Sequence, residues 1–154
     1  MAFIIKKIPS SKNLIYFWII FFVVFFFQFI TATIANYFNP ELTTGFKFNS
    51  LTEELVVTVI IAPIVETLIF QYLVIETLLG LKMAPLLCIV VSGLLFGLSH
   101  WCNIVYIAAL TVVGFIYAYY YMALYHQRYT NKLILVIALH ALYNALAFLG
   151  NKCL

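Results

Sequence analysis

The sequence has very little charge. Of its 154 residues, 8% are charged and 66% are hydrophobic, and the mean hydropathy is +1.12. A soluble globular domain carries about 25% charged residues, because its surface must face water. The composition therefore excludes a soluble globular protein and predicts a chain that lies almost entirely in a lipid bilayer.

Basic residues and cysteines are also scarce. The net charge is only +3, and the eight lysines and arginines are scattered along the chain, so nucleic acid is not an expected partner. The three cysteines contain no CxxC pair and suggest no disulfide framework; they are Cys88, Cys102 and Cys153.

Long hydrophobic runs, in contrast, fill the chain. About 20 apolar residues cross the ~30 Å hydrocarbon core as a helix. The runs predict an all-α, polytopic membrane bundle of about five transmembrane helices, over residues 14–34, 51–79, 85–100, 104–125 and 133–149. The first run is too long and too aromatic for a signal peptide cleaved near Thr33-Ile34-Ala35, so we expect it to be retained.

Local signals predict where the second helix begins and how it fits the membrane. Asn39-Pro40 and Thr44-Gly45 predict turns in the preceding polar loop. Ser50-Leu51-Thr52-Glu53 has the form of a capping box, which starts a helix near Leu51. A helix over residues 51–79 is about 45 Å long, so it needs tilt, a kink at Pro63 or an interfacial first turn.

The distribution of basic residues predicts the orientation. With the N-terminus inside, six basic residues face the cytoplasm, whereas Lys47 and Lys152 lie on the other side. This asymmetry favours a cytoplasmic N-terminus. The six are Lys6, Lys7, Lys12, Lys82, Arg128 and Lys132.

Two further patterns concern the third and fourth helices. Gly93 and Gly97 form a GxxxG pair, which allows a neighbouring helix to approach closely. Several tyrosines crowd the end of the fourth run, as is typical of an aromatic belt at the membrane interface. They are Tyr117, Tyr119, Tyr120, Tyr121 and Tyr125.

Glu66 lies in the middle of a run that is apolar from residue 55 to residue 81. A carboxylate surrounded by hydrocarbon is costly and by default marks a functional site that faces protein or water. The alternative is a structural, protonated carboxyl bonded to a neighbouring helix. Serine or asparagine would make that contact at lower cost, so we favour the functional interpretation.

His100 and His140 lie in two other apolar runs. Phe96 shares a helix face with His100, and Asn144 lies one turn after His140. Each histidine alone would more often be a satisfied core residue. Together with Glu66 they indicate a proton-handling site, and donors at positions 140 and 144 could stabilise an oxyanion.

The remaining polar residues have simpler interpretations. Glu76 is about 280° round the helix from Glu66, so we expect a polar contact near the helix end. Glu53 and Glu54 are interpreted as capping and interfacial charges, and His126 as solvated.

Three ordered motifs resemble those of the CPBP intramembrane proteases, which include the type II CAAX prenyl endopeptidases and bacterial Abi or bacteriocin-processing proteins. The motifs are Ala62-Pro63-x-x-Glu66-x-x-x-Phe70-Gln71, Phe96-x-x-x-His100 and His140-x-x-x-Asn144. The resemblance implies a four-helix catalytic core over residues 51–154. Residues 1–50 then supply a basic N-terminus, the first transmembrane helix and a polar loop.

The resemblance also implies a mechanism without a cofactor. Glu66 and His100 activate water to cleave a membrane-associated peptide or protein, while His140 and Asn144 form the oxyanion hole. Supporting positions are Thr67, Phe70, Gln71 and Phe96. The family pattern usually reads Glu-Glu-x-x-x-Arg, and Thr67 and Gln71 replace its second Glu and its Arg.

Two alternatives stay open. A zinc-dependent protease would use Glu66, His100 and His140 as metal ligands, with water in the fourth position. A catalytically degenerate relative would act as a membrane immunity factor or scaffold, which the residues Thr67 and Gln71 motivate. In each case the expected location is a bacterial plasma membrane.

Overall fold

The computed structural model describes residues 5, 7–43 and 46–153. These described residues form five helices and no strand, and 83% of the structure is helical. The helices are α1 (Asn13–Phe38), α2 (Leu51–Gly80), α3 (Pro85–Leu98), α4 (Ile104–Ala123) and α5 (Tyr129–Cys153). The predicted all-α bundle is confirmed.

Four of the helices are long and apolar enough to cross a membrane. Helix α3 is shorter than the predicted third span, because it ends at Leu98 after 14 residues. At ~1.5 Å per residue it covers about 21 Å, less than the hydrocarbon core.

The loop before α2 contains a short 3₁₀ turn, Pro40–Thr43, which agrees with the turn predicted at Asn39-Pro40. The turn predicted at Thr44-Gly45 lies outside the described residues, as does Lys6 of the orientation argument. The predicted cap of α2 is confirmed, since the Ser50 hydroxyl accepts from the Glu53 N–H at 3.1 Å. The Glu53 carboxylate in turn accepts from the Asn49 N–H at 2.8 Å.

Helix α2 contains two wide, π-helical stretches, Val56–Ile61 and Thr67–Val74. The first ends beside Pro63, where the Ala62 N–H reaches back to the Val57 carbonyl. Because proline has no N–H and crowds the preceding turn, the expected adjustment at Pro63 takes the form of a wide turn. The second stretch starts directly after Glu66, and such turns are frequent at functional sites.

The C-terminus of α2 closes with a Schellman motif. The Met83 N–H donates to the Leu78 carbonyl at 3.0 Å and the Lys82 N–H to the Leu79 carbonyl at 2.9 Å. Lys82 has φ 60, a left-handed conformation that glycine usually supplies at this position. The predicted helix end is therefore confirmed, although a lysine occupies the strained position.

Helices α3 and α4 pack backbone against backbone through glycines. A Cβ added at Gly93 would lie 2.7 Å from the Phe115 nitrogen, and one at Gly97 would lie 2.7 Å from the Thr111 Cα. A Cβ at Gly114 would lie 2.9 Å from Gly93. The close approach predicted for the GxxxG pair is confirmed, and the partner is α4.

The interfacial belt predicted for the α4 tyrosines is wrong for Tyr117, Tyr120 and Tyr121. These three side chains are fully buried between helices, whereas Tyr125 is 40% exposed. The reason is register: Gly114 faces α3, and the residues one and two turns later point into the same interior.

The N-terminal segment packs at the end of α4. The Ile8 N–H donates to the Ala123 carbonyl at 3.0 Å, and Ile8 is buried. The Gln127 amide donates to the Ile8 carbonyl at 2.9 Å and to Asn13 at 2.7 Å. These contacts place the start of α1 beside the end of α4, as the alternating directions of a bundle require.

Candidate active site

Glu66 lies between two imidazoles. Its Oε1 is 3.7 Å from the Nε2 of His100, and its Oε2 is 3.7 Å from the Nε2 of His140. The side chains are 21%, 11% and 5% exposed, in the order Glu66, His100, His140. One carboxylate from α2 therefore meets one histidine that follows α3 and one from α5.

The hydrogen bond made by the second ring nitrogen of His100 determines which nitrogen carries the hydrogen in the neutral ring. Its Nδ1 lies 2.8 Å from the Phe96 carbonyl, and a carbonyl can only accept, so Nδ1 carries a hydrogen and donates. In the neutral ring, Nε2 is then an unprotonated acceptor that faces the Glu66 carboxyl. A single proton between these two groups gives either a carboxylic acid facing imidazole or a carboxylate facing imidazolium.

Phe96 is the apolar centre of the site. Its ring centroid lies 5.1 Å from that of His100 and 5.8 Å from that of His140. It also meets Phe70 edge-on at 5.7 Å. Phe96 thus contacts Phe70 and both imidazoles, and the two histidines were named from the sequence as candidate catalytic residues.

Asn144 contacts a different part of α2. Its side-chain Nδ2 donates to the Thr58 carbonyl at 2.8 Å, within the first wide stretch of the helix. One N–H of the amide is therefore engaged in joining α5 to α2, and the amide has a second. The structure brings Glu66, His100 and His140 together and places Asn144 at this neighbouring helix contact.

Thr67 and Gln71, which replace the acid and the base of the usual first motif, are both completely buried. They lie four residues apart on α2, in the stretch that packs against α3, α4 and α5. Within the part of the chain that the structure describes, neither the Thr67 hydroxyl nor the Gln71 amide has a hydrogen-bond partner.

A second polar cluster surrounds Glu76, where only a simple polar contact was expected. The Lys132 ammonium lies 2.7 Å from Glu76 Oε1, which also accepts from the Tyr121 hydroxyl at 2.7 Å. The ammonium stacks 4.2 Å above the Tyr125 ring. Lys132, which was predicted to precede the fifth span of residues 133–149 and to face the cytoplasm, instead lies within α5, because this helix already begins at Tyr129 and turns the side chain inward.

Three tyrosines near the site were not found from the sequence. The Tyr117 ring lies 5.0 Å from the His140 ring, and the Tyr106 ring lies 5.8 Å from the His100 ring. Tyr143 is half-buried, one turn after His140. Its spacing of three residues from His140 was a usable signal, whereas Tyr117 needed the α3–α4 packing to be known. His126 is exposed, as expected.

The zinc alternative requires a metal-ligand arrangement. Among the residues that the structure describes, no three His, Cys, Asp or Glu side chains are placed to hold a metal ion. With Glu66 as a ligand, the site would also have no carboxylate left to act as a base.

The chemistry that this arrangement permits is proton transfer beside a buried carboxyl. Glu66 can take a proton from water, His100 can share it, and His140 presents its Nε2 to the same volume. The surroundings are aromatic and largely buried, which strengthens electrostatic interactions with a developing charge.

Comparison with known proteins gives one family. Residues 48–146 match the family model described as type II CAAX prenyl endopeptidase Rce1-like. No curated protein and no solved structure matches the chain.

Proposed function

The chain belongs to the Rce1-like family of type II CAAX prenyl endopeptidases, and from this premise we propose that it is an intramembrane glutamic endopeptidase. It is an integral membrane protein of a protease family. The proposed substrate is a peptide or protein held at the membrane, and the proposed reaction is hydrolysis of an internal peptide bond.

One observation carries the proposal: a single carboxylate stands 3.7 Å from an imidazole nitrogen on each side. These separations are longer than a direct hydrogen bond, so the carboxylate and the imidazoles do not bind one another directly. They are still close enough for one water molecule to bind to more than one of them. A purely structural carboxylate would be expected to form short hydrogen bonds, as Glu76 does with Lys132.

In the proposed reaction, Glu66 removes a proton from a water molecule whose oxygen attacks the scissile carbonyl carbon. His100 Nε2 shares this proton, since its Nδ1 donates to Phe96. The proton then passes to the leaving amine as the carbon–nitrogen bond breaks, which leaves a free acid and a free amine.

The oxyanion formed by this attack requires donors. We assign them to His140 Nε2, which faces the Glu66 carboxyl, and to the second N–H of Asn144. Removing one such donor lowers kcat by about 10²–10³-fold in a comparable hydrolase. We further propose that no metal takes part, that the N-terminus is cytoplasmic and that the membrane is the bacterial inner membrane.

The test is cleavage of membrane peptides by the purified full chain. The panel contains a prenylated CAAX peptide, a leader peptide and a bacteriocin precursor. Glu66→Gln should abolish turnover, whereas Glu54→Gln, which alters another acid on the same helix, should retain it. Unchanged turnover in Glu66→Gln would refute the assignment.

Chelation distinguishes the metal-dependent alternative on the same sample. We expect activity to survive EDTA and the active protein to contain no stoichiometric zinc. Activity that is lost on chelation and restored by zinc would favour the zinc protease.

The replacement of a charged pair by Thr67 and Gln71 favours one further candidate, a non-enzymatic membrane immunity factor or scaffold. This candidate predicts that biological activity survives both Glu66→Ala and His100→Ala. The protease predicts that both substitutions abolish it.

A further inference from the structure

Five buried side chains carry polar atoms without a hydrogen-bond partner among the described residues; we call this set the buried polar column. They are Thr67, Gln71, Tyr117, Tyr120 and His140, which is unpaired at Nδ1. Four are 0% exposed and His140 is 4% exposed. A buried polar group without a partner destabilises the folded protein, so five of them in one bundle indicate a ligand that satisfies them.

One end of the column is the candidate active site. His140 directs Nε2 to Glu66 at 3.7 Å and leaves Nδ1 unpaired on the opposite side of the ring. The Tyr117 ring lies 5.0 Å from this imidazole. Thr67 follows Glu66 directly in α2.

The other end approaches the Glu76–Lys132 pair. Gln71 lies one turn beyond Thr67 along α2, and Tyr120 lies one turn beyond Tyr117 along α4. Gln71 and Tyr120 are therefore nearer than Thr67 and Tyr117 to the level of Glu76. The Glu76 carboxylate accepts from Tyr121, the residue after Tyr120, at 2.7 Å. Ten residues of α2 separate the two acids, a rise of about 15 Å.

We propose that the buried polar column binds a file of water molecules that connects Glu66 with the Glu76–Lys132 end of the bundle. Buried water typically makes about three hydrogen bonds to otherwise unsatisfied groups, and apolar cavities stay dry. Hydroxyls, a primary amide and an imidazole nitrogen offer both donors and acceptors to such a file.

The two departures from the family pattern agree with this proposal. An acid and a base at positions 67 and 71 would satisfy each other by charge. A hydroxyl and an amide carry no charge, and the polar atoms of Thr67 and Gln71 have no protein partner among the described residues. Neutral groups of this kind bind water without fixing it as an ion would.

The use of the column rests on the proposed function. Each peptide bond hydrolysed consumes one water molecule, and lipid around the site supplies none. A water file that ends at Glu66 would replace that molecule from the Glu76 end after every turnover. The hydration itself does not depend on whether the protein is a protease.

Hydroxyl-radical footprinting of the full chain in detergent tests the hydration directly, because radicals formed from bound water modify the side chains beside it. We expect Tyr117 and Tyr120 to be modified several-fold faster than Phe21, which is buried against apolar neighbours. If the two tyrosines react no faster than Phe21, the column is dry and the proposal is overturned.

Variants test whether the named side chains hold the water. The double variant Thr67→Val/Gln71→Leu should reduce modification of Tyr117 and Tyr120 several-fold. The matched control is Ser92→Ala, which removes a buried hydroxyl bonded to the Phe70 carbonyl outside the column, and it should leave modification unchanged. Unchanged modification in the double variant would contradict the proposal; if that variant does not fold, the wild-type comparison decides.

Footprinting of Glu66→Gln separates this proposal from the proposed function. We expect modification of both tyrosines to persist in this inactive variant. If the wild-type protein is hydrated but cleaves no peptide, the proposed protease function is contradicted and the proposed water file is supported. If the protein is active but the column is dry, the water file is contradicted and the protease function is supported.

Discussion

Helix α2 carries two interior carboxylates ten residues apart, and their surroundings differ sharply. Glu76 makes contacts of 2.7 Å with both Lys132 and Tyr121. Glu66 faces two imidazoles at 3.7 Å, a distance beyond direct hydrogen bonding. One acid is paired with a permanent cation, and the other is paired with groups whose charge depends on a shared proton.

This difference separates a structural acid from a reactive one. The ion pair of Glu76 and Lys132, with the Tyr121 hydroxyl, holds α2 against α4 and α5. An acid flanked by two imidazoles retains free lone pairs and partners that can exchange protons. The same residue type on one helix therefore serves two purposes, and its neighbours determine which.

Neutralising each acid in turn tests the difference between Glu66 and Glu76 most directly. Glu66→Gln should lower peptide cleavage by about 10³-fold or more without lowering stability, because it removes a carboxylate that lacks a cationic partner. Glu76→Gln should lower the free energy of unfolding by about 3–5 kcal/mol, since it leaves the buried Lys132 charge uncompensated. Cleavage assays and SDS unfolding titrations of both variants measure this; a stability loss in Glu66→Gln alone would reverse the assignment.

Lys132→Met tests the saturated pair from its other side. We expect a stability loss of about 3–5 kcal/mol, with cleavage per folded molecule unchanged. The double variant Glu76→Gln/Lys132→Met should recover most of this loss, because no buried charge then remains unpaired. Unfolding titrations of the two single variants and the double variant form the cycle, and purely additive losses would show that Glu76 and Lys132 are not energetically coupled.

Asn144→Ala tests whether Asn144 serves the reaction at the candidate active site or only the packing of α5 on α2. We expect kcat to fall by about 10²-fold as one oxyanion donor is lost. We expect stability to fall by only about 1 kcal/mol, as the bond to the Thr58 carbonyl is lost. Steady-state kinetics on the cleaved peptide measure the effect. A change in KM with unchanged kcat would assign Asn144 to substrate binding.

Ser50→Ala gives the baseline for both acids, since it weakens the same helix far from either of them. Removing the cap should lower stability by about 1 kcal/mol and leave kcat unchanged. The measurement is again unfolding with parallel kinetics. A fall in kcat would mean that fraying of the first turn of α2 reaches the candidate active site.

Much of the fold followed from patterns that act locally. Runs of apolar residues predicted all five helices, and Ser50 and Lys82 mark the observed ends of α2. The proximity of Glu66, His100 and His140 also followed from the sequence. Ionisable residues are rare within apolar spans, and those that occur there usually pair with one another.

The remaining features depend on how helices are paired. Whether Tyr117 faces lipid or the interior depends on Gly114 meeting Gly93, which no local pattern specifies. The ion pair of Lys132 depends on α5 beginning earlier than its apolar run. The Asn144 bond to Thr58 depends on a wide turn of α2 whose carbonyl is available.

The shortness of α3 has a consequence for the membrane around it. Counted from Pro85, the helix rises about 21 Å of the ~30 Å hydrocarbon thickness before it ends at Leu98. An upright α3 with Pro85 at one interface would therefore leave the non-helical residues 99–103 within the hydrocarbon. Non-helical backbone persists in the hydrocarbon only where protein or water shields it, so this segment needs such a cover from lipid, and the Phe46 ring lies 6.3 Å from the rings of both His100 and Trp101.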